Sequence, residues 1–204
     1  MRRLLFFAAL CVMLTSCMAN RTIGINKANL SPRFDNATIN RVAVIGFGKN
    51  VDIRYETSII ADKFTAELVN SELFSLLDRN DIDKIMAEVG YQQKSSDTGI
   101  LDDETRQRLR SIGADSILTG KLIKYKQVDR GDSVLFSEVQ LVAKLVRIET
   151  GEVLWSAEMS ERSKIDGKKD ALSAEALLSD IIEKMCIPLK TENKYKQLLK
   201  KAIG

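Results

Sequence analysis

Between residues 139 and 159 the chain alternates with a period of two, and this constrains its fold more than any other feature. Val139, Leu141, Ala143 and Leu145 fall on one side of a strand, and Val153, Trp155, Ala157 and Met159 on one side of another. Glu149-Thr150-Gly151-Glu152 lies between them, with a glycine where a hairpin turn favours positive φ. A hairpin with one apolar face must bury that face against helices or a second sheet. Trp155 reads as the core anchor of the second strand, since a ring of that size contributes most when buried.

The preceding sequence supplies the helices. Val42-Ala43-Val44-Ile45, closed by Gly46, is a short apolar run of the kind buried in a central strand. Residues 57–71 place Ile60, Phe64 and Leu68 on one helical face. Leu73 to Leu77 reads as a strand. Asn80 or Asp81 then caps a helix carrying Ile82, Ile85, Met86 and Val89, ended by Gly90. Asp102 or Asp103 caps another, which runs through Leu109 and Ile112 and stops at Gly113. Residues 116–123 form a strand, and the eight polar residues 126–133 a turn. Residues 172–187 form a helix with Leu177, Leu178, Ile181, Ile182 and Met185 inward, stopped by Pro188. The order β-α-β-α-α-β-β-β-α predicts a single α/β domain over 41–188, with a mixed sheet of about five strands packed by helices. A basic amphipathic tail, 189–204, follows it.

Composition removes most enzyme classes. The chain has no histidine, so nucleophile–histidine pairs and histidine-based metal sites are excluded. Gly46-Phe47-Gly48-Lys49-Asn50 follows a strand, but Ala43 and Asn50 stand where a phosphate loop needs Gly and Ser or Thr. It reads as a structural turn. Asp78, Asp81 and Asp83 are spaced for helix capping, without the glycine of a calcium loop. No catalytic residue, metal or cofactor is expected. Cys186 lies in an apolar helical stretch and reads as a small buried hydrophobe.

The first residues set the compartment. Arg2 and Arg3 precede an apolar run, Leu4 to Leu14, too short for a bilayer that needs roughly 20 such residues. It ends in Leu14-Thr15-Ser16-Cys17, which resembles the bacterial lipobox, an apolar residue and two small ones before a cysteine. The resemblance implies a signal peptide, 1–16, and a lipidated Cys17 as the first mature residue. Met18 in place of an aspartate implies sorting to the outer membrane, with the domain facing the periplasm. Losing Arg2 and Arg3 brings the formal charge from +3 to about +1, so no nucleic-acid partner is indicated. Residues 17–40 are polar and irregular, and read as the lipidated cysteine and a flexible tether averaging roughly 25 Å.

Five segments in order carry a family resemblance. They are Val42-Ala43-Val44-Ile45-Gly46-Phe47, Ala61 to Leu68, Leu73 to Arg79 with Ile82, Ile85 and Met86, Gly113 to Gly120, and Thr150 to Ser156. Together they resemble the CsgG/LpoB-like periplasmic lipoproteins, to which the N-terminal domain of TolB is related. The resemblance implies a non-enzymatic, membrane-anchored domain that binds and regulates an envelope-assembly partner. A peptidoglycan synthase of the penicillin-binding class is the first expectation, and a subunit or accessory of a curli-type export complex the alternative. The polar loops are too short for a membrane-spanning hairpin, whose strands need about 9–11 residues each. Tyr91, Gln92 and Gln93, with Gln127, Asp129 and Arg130 of the polar turn, are the exposed candidates for partner contact. The oligomeric state is left open.

Overall fold

The computed structural model of the chain describes residues 21–35, 38–69, 74–88, 102–166 and 170–203. The elements are β1 (Arg21–Leu30), β2 (Arg41–Val44), β3 (Gly48–Lys49), α1 (Ser58–Val69), β4 (Ser75–Leu76), α2 (Arg79–Glu88), α3 (Asp103–Ser111), β5 (Ser116–Arg130), β6 (Ser133–Arg147), β7 (Val153–Lys164) and α4 (Ala174–Ile203). They build one seven-stranded mixed sheet in the order β1-β7-β6-β5-β2-β4, with β3 beside β5 beyond the end of β2. β2 is parallel to β4 and β5, and β3 to β5; the long strands β1, β7, β6 and β5 are antiparallel. Among the described residues no helix is long and apolar enough to cross a membrane.

The expected hairpin forms β6 and β7, turning through Gly151 at φ 72°. Val139, Leu141, Ala143, Leu145, Trp155, Ala157 and Met159 all enter one core, with α1 and α4 laid over them. A second core lies on the opposite face of the sheet, where α2 and α3 cover Ala43, Ile45, Ile117, Val146 and Ile148. β2 feeds both: Val42 and Val44 point to the first core, Ala43 and Ile45 to the second. Gly120 sits where no side chain fits between the neighbouring strand β6 and Phe47. A Cβ there would stand 2.0 Å from the Val142 carbonyl oxygen and 2.6 Å from the Phe47 ring. Asp102 caps α3, accepting from Thr105 N at 2.7 Å, and Asp78 accepts from Asn80 N at the start of α2.

Four expectations are corrected. Residues 17–40 were expected as a flexible tether, yet Arg21–Leu30 is a strand paired along β7. Its sequence is polar because the backbone ladder holds it, and of its described side chains Ala28 and Leu30 pack on the core. The polar stretch 126–133 is not a wide turn but the end of a hairpin, with β5 and β6 paired as far as Arg130 and Ser133. A bulge between Leu122 and Lys124 resets the alternation there, which hides the strand. The long helix does not stop at Pro188 but continues to Ile203, and Leu189 is fully buried beyond the proline. Packing on the sheet, with Lys190 paired to Glu67 of α1, outweighs the lost backbone bond. Finally, Gly48–Lys49 within the expected turn forms a short strand, and together with β1 it takes the mixed sheet from the expected five or so strands to seven.

Candidate partner-binding face

The sheet is covered unequally. One face lies under α1 and α4, while on the other α2 and α3 reach only β2, the start of β5 and the end of β6. Among the described residues, no helix lies over the rest of that second face, across β5, β6, β7 and β1. Its side chains can be read in rows across the strands: Lys126, Glu138 and Arg162; Lys124, Gln140 and Ser160; Lys121, Val142, Glu158 and Lys27. Phe136 and Lys164 close one end, and Lys144 and Ser156 lie toward the other. Seven of these groups are cations and two are carboxylates.

Glu138 organises the cluster at the hairpin end. It accepts from Arg162 at 2.6 Å and from Lys124 at 3.2 Å. Burial alone would raise its pKa, but the hydrogen bonds from Arg162 and Lys124 outweigh that and hold the carboxyl below its ordinary range. Phe136 lies between two cations, with Lys126 Nζ 6.0 Å and the Arg162 guanidinium carbon 5.7 Å from the ring centre. Further along, Gln140 donates to Glu158 at 3.0 Å.

A second polar cluster sits where α4 begins. The Tyr55 hydroxyl donates to Glu175 at 2.7 Å, Lys63 pairs with the same carboxylate at 2.7 Å, and the Tyr55 and Tyr125 rings stand 4.3 Å apart. Burial and the Glu175 carboxylate raise both phenols, Tyr125 to about 12. For Glu175, burial is outweighed by Lys63 and Tyr55, and its pKa is lowered. The cluster ties α1, β5 and α4 together. Among the described residues no group of three or more His, Cys, Asp or Glu side chains stands as a metal centre would.

The candidates read from sequence are distributed unevenly. Gln127 faces α4, where its Oε1 accepts from Ala174 N at 2.8 Å while its Nε2 donates to Asp129 at 2.9 Å. These two residues therefore hold the hairpin against the helix. Arg130 is exposed at the hairpin end. Cys17, Tyr91, Gln92 and Gln93 lie outside the described residues. Sequence reasoning missed Phe136, Glu138 and Arg162. The available signal was the alternation of 136–144 itself: its polar half marks a face that solvent, not a helix, covers.

Comparison with known proteins locates this arrangement. A family model described as the peptidoglycan-synthase activator LpoB matches residues 53–160, from just before α1 to the middle of β7. The chain belongs to the LpoB family. LpoB-family membership makes it an envelope-associated regulator, in a family that acts by activation. Among solved structures, the PelC dodecamer from Paraburkholderia phytofirmans covers 83% of this chain and 97% of its own at 14% identity and a TM-score of 0.53. Lipoprotein GNA1162 from Neisseria meningitidis covers 74% and 99% at 14% identity and the same TM-score. Both share the fold of this LpoB-family domain. The LpoB C-terminal domain from Salmonella enterica matches at 13% identity over 74% of this chain and 90% of its own, with a TM-score of 0.43. No curated protein matches the chain.

Proposed function

We propose that this chain is a lipid-anchored periplasmic activator of a peptidoglycan synthase of the penicillin-binding class. The observation that carries the proposal is the family match over residues 53–160. Residues 1–16 serve as the signal peptide, Cys17 carries the lipid, and Met18 directs the protein to the outer membrane. Tyr91, Gln92, Gln93 and Arg130 are the contacts offered to the partner. Only residues 18–20 separate Cys17 from β1, a span of at most about 14 Å. The domain therefore works close to its own membrane, and the synthase has to extend toward it. The test is glycan-strand polymerisation by purified synthases with and without the full-length protein, together with co-purification. Faster polymerisation and a stable complex are expected; no effect on any synthase of the source cell rejects the reading.

The short span favours a second reading, assembly of several copies at the membrane. The similar PelC is a dodecamer, and among the described residues β1 is the last strand at its edge of the sheet. Under this reading the protein is a subunit or accessory of an oligomeric export complex. The molar mass of the lipidated protein in mild detergent decides between them: a monomer or dimer supports the activator, a large closed oligomer the export complex.

A further inference from the structure

The strand that begins four residues after Cys17 belongs to the half of the sheet with the bare basic face. β1 starts at Arg21 opposite Ser163, in the row that continues through Ser137 to Gln127. The chain thus arrives at the hairpin end of the sheet. Here Phe136 lies between Lys126 and Arg162, with Lys164 paired to it across the strands. Val128 and Ile165, 39% and 42% exposed, stand at the same end. Lys124 and Lys27 continue the positive charge away from it.

We propose that this uncovered face of β5, β6, β7 and β1 lies on the anionic phospholipid headgroups of the leaflet that holds the anchor. The proposal rests on the lipidation of Cys17 advanced above. Two observations select a membrane as the occupant. A span of at most about 14 Å cannot carry the hairpin end far from the bilayer. The strand face itself carries the chemistry of an interfacial surface, long cationic side chains around an aromatic ring and scattered aliphatic groups, with the acidic Asp129 and Asp132 confined to the hairpin tip beside Arg130. Each lysine or arginine near an anionic surface adds attraction that decays within a Debye length, about 8 Å in physiological salt. Glu138 does not oppose this, because Lys124 and Arg162 already neutralise it. The face is preformed by paired strands, so docking orders little chain. Docking fixes the orientation of the domain: α1 and α4 point away from the membrane.

The test uses the full-length lipidated protein reconstituted into vesicles of phosphatidylcholine alone or with about 30% phosphatidylglycerol. Brief amine acylation followed by mass spectrometry reads each lysine. Lys27, Lys126 and Lys164 are expected to react about fivefold more slowly on the anionic vesicles, and high salt to remove the difference. Lys63 on α1, which lies over the opposite face of the sheet, serves as the unchanged control. In K27Q/K126Q/K164Q, which alters only exposed side chains, Lys124 is expected to lose its protection while near-ultraviolet dichroism of Trp155 stays native. Equal reaction rates on the two vesicle types overturn the proposal. So do lysines that stay reactive on anionic vesicles but are shielded by soluble polyglutamate, a result that assigns the face to an acidic protein. Intact mass separates the two claims: a Cys17 without acyl chains rejects the anchor. In that case the full-length protein is added to preformed vesicles, and equal rates there reject the face independently.

Discussion

The two halves of the sheet are stabilised differently. The parallel half, β2 with β3, β4 and the first residues of β5, is short and covered on both faces, so that Val42, Ala43, Val44 and Ile45 are all buried. The antiparallel half, β1, β7, β6 and the rest of β5, is long and, among the described residues, covered by helices on one face only. In the first half the side chains of residues 42–45 are packing elements on both faces. In the second, alternate side chains are free of packing and take up charge, and extended backbone pairing holds the strands. A sheet covered on one side can thus present a large rigid polar surface, while the doubly covered half anchors it to the helices.

Gly120, where the halves meet, is the most severe point to break this arrangement. Gly120→Val is expected to destabilise the domain by more than about 3 kcal/mol, because the clash is with backbone and the Phe47 ring and cannot be relieved by a rotamer change. Poor soluble yield and loss of the cooperative thermal transition would report it.

A pair of truncations measures the contrast itself. Ile45→Ala in the doubly covered half should cost about 2–4 kcal/mol, and Val142→Ala on the bare face less than about 1 kcal/mol. Comparable losses in urea unfolding would show that the bare face is covered in solution.

The continuation of α4 past its proline yields a gain. Pro188→Ala restores a backbone donor inside a helix whose neighbours Met185, Cys186 and Leu189 are already buried. Thermal stability should rise by about 1–3 kcal/mol. No change would mean that the helix bends at this point to accommodate the ring.

The smallest expected effect concerns Glu138. Its folded pKa is lowered, so its contribution is complete above the ordinary value of 4.5 and is lost as the pH falls through the folded value. Glu138→Gln should cost about 0.5–1 kcal/mol near neutral pH after allowing for partial solvent exposure. The deficit relative to the native chain should shrink below pH 4.5. A deficit independent of pH would assign the loss to packing.

Much of the scaffold was legible in the sequence for a local reason. Where one face of an element is buried, apolar residues must recur with that element's own period. The alternation at 139–145 and 155–159, the helical stripes Ile60-Phe64-Leu68 and Leu177 to Met185, and the turn at Gly151 follow from this; Val153 instead is exposed and Leu154 buried, because the ladder shifts register between Leu145 and Val146. The absence of histidine, which excluded whole classes of chemistry, was equally a matter of residues alone. Other features had no local signature. β1 is held by its neighbour's backbone and carries few apolar residues, so its strand character exists only beside β7. The outer part of the β5–β6 hairpin is concealed by a bulge, and helix α4 passes a proline because tertiary packing outweighs a local penalty. The bare basic face is a property of several strands at once. Lys27, Lys126 and Arg162 are distant in sequence and become one surface only when the ladder sets their register. Local periodicity determined which elements form; pairing between distant strands decided which charges stand together and which face remains open to a membrane or a partner.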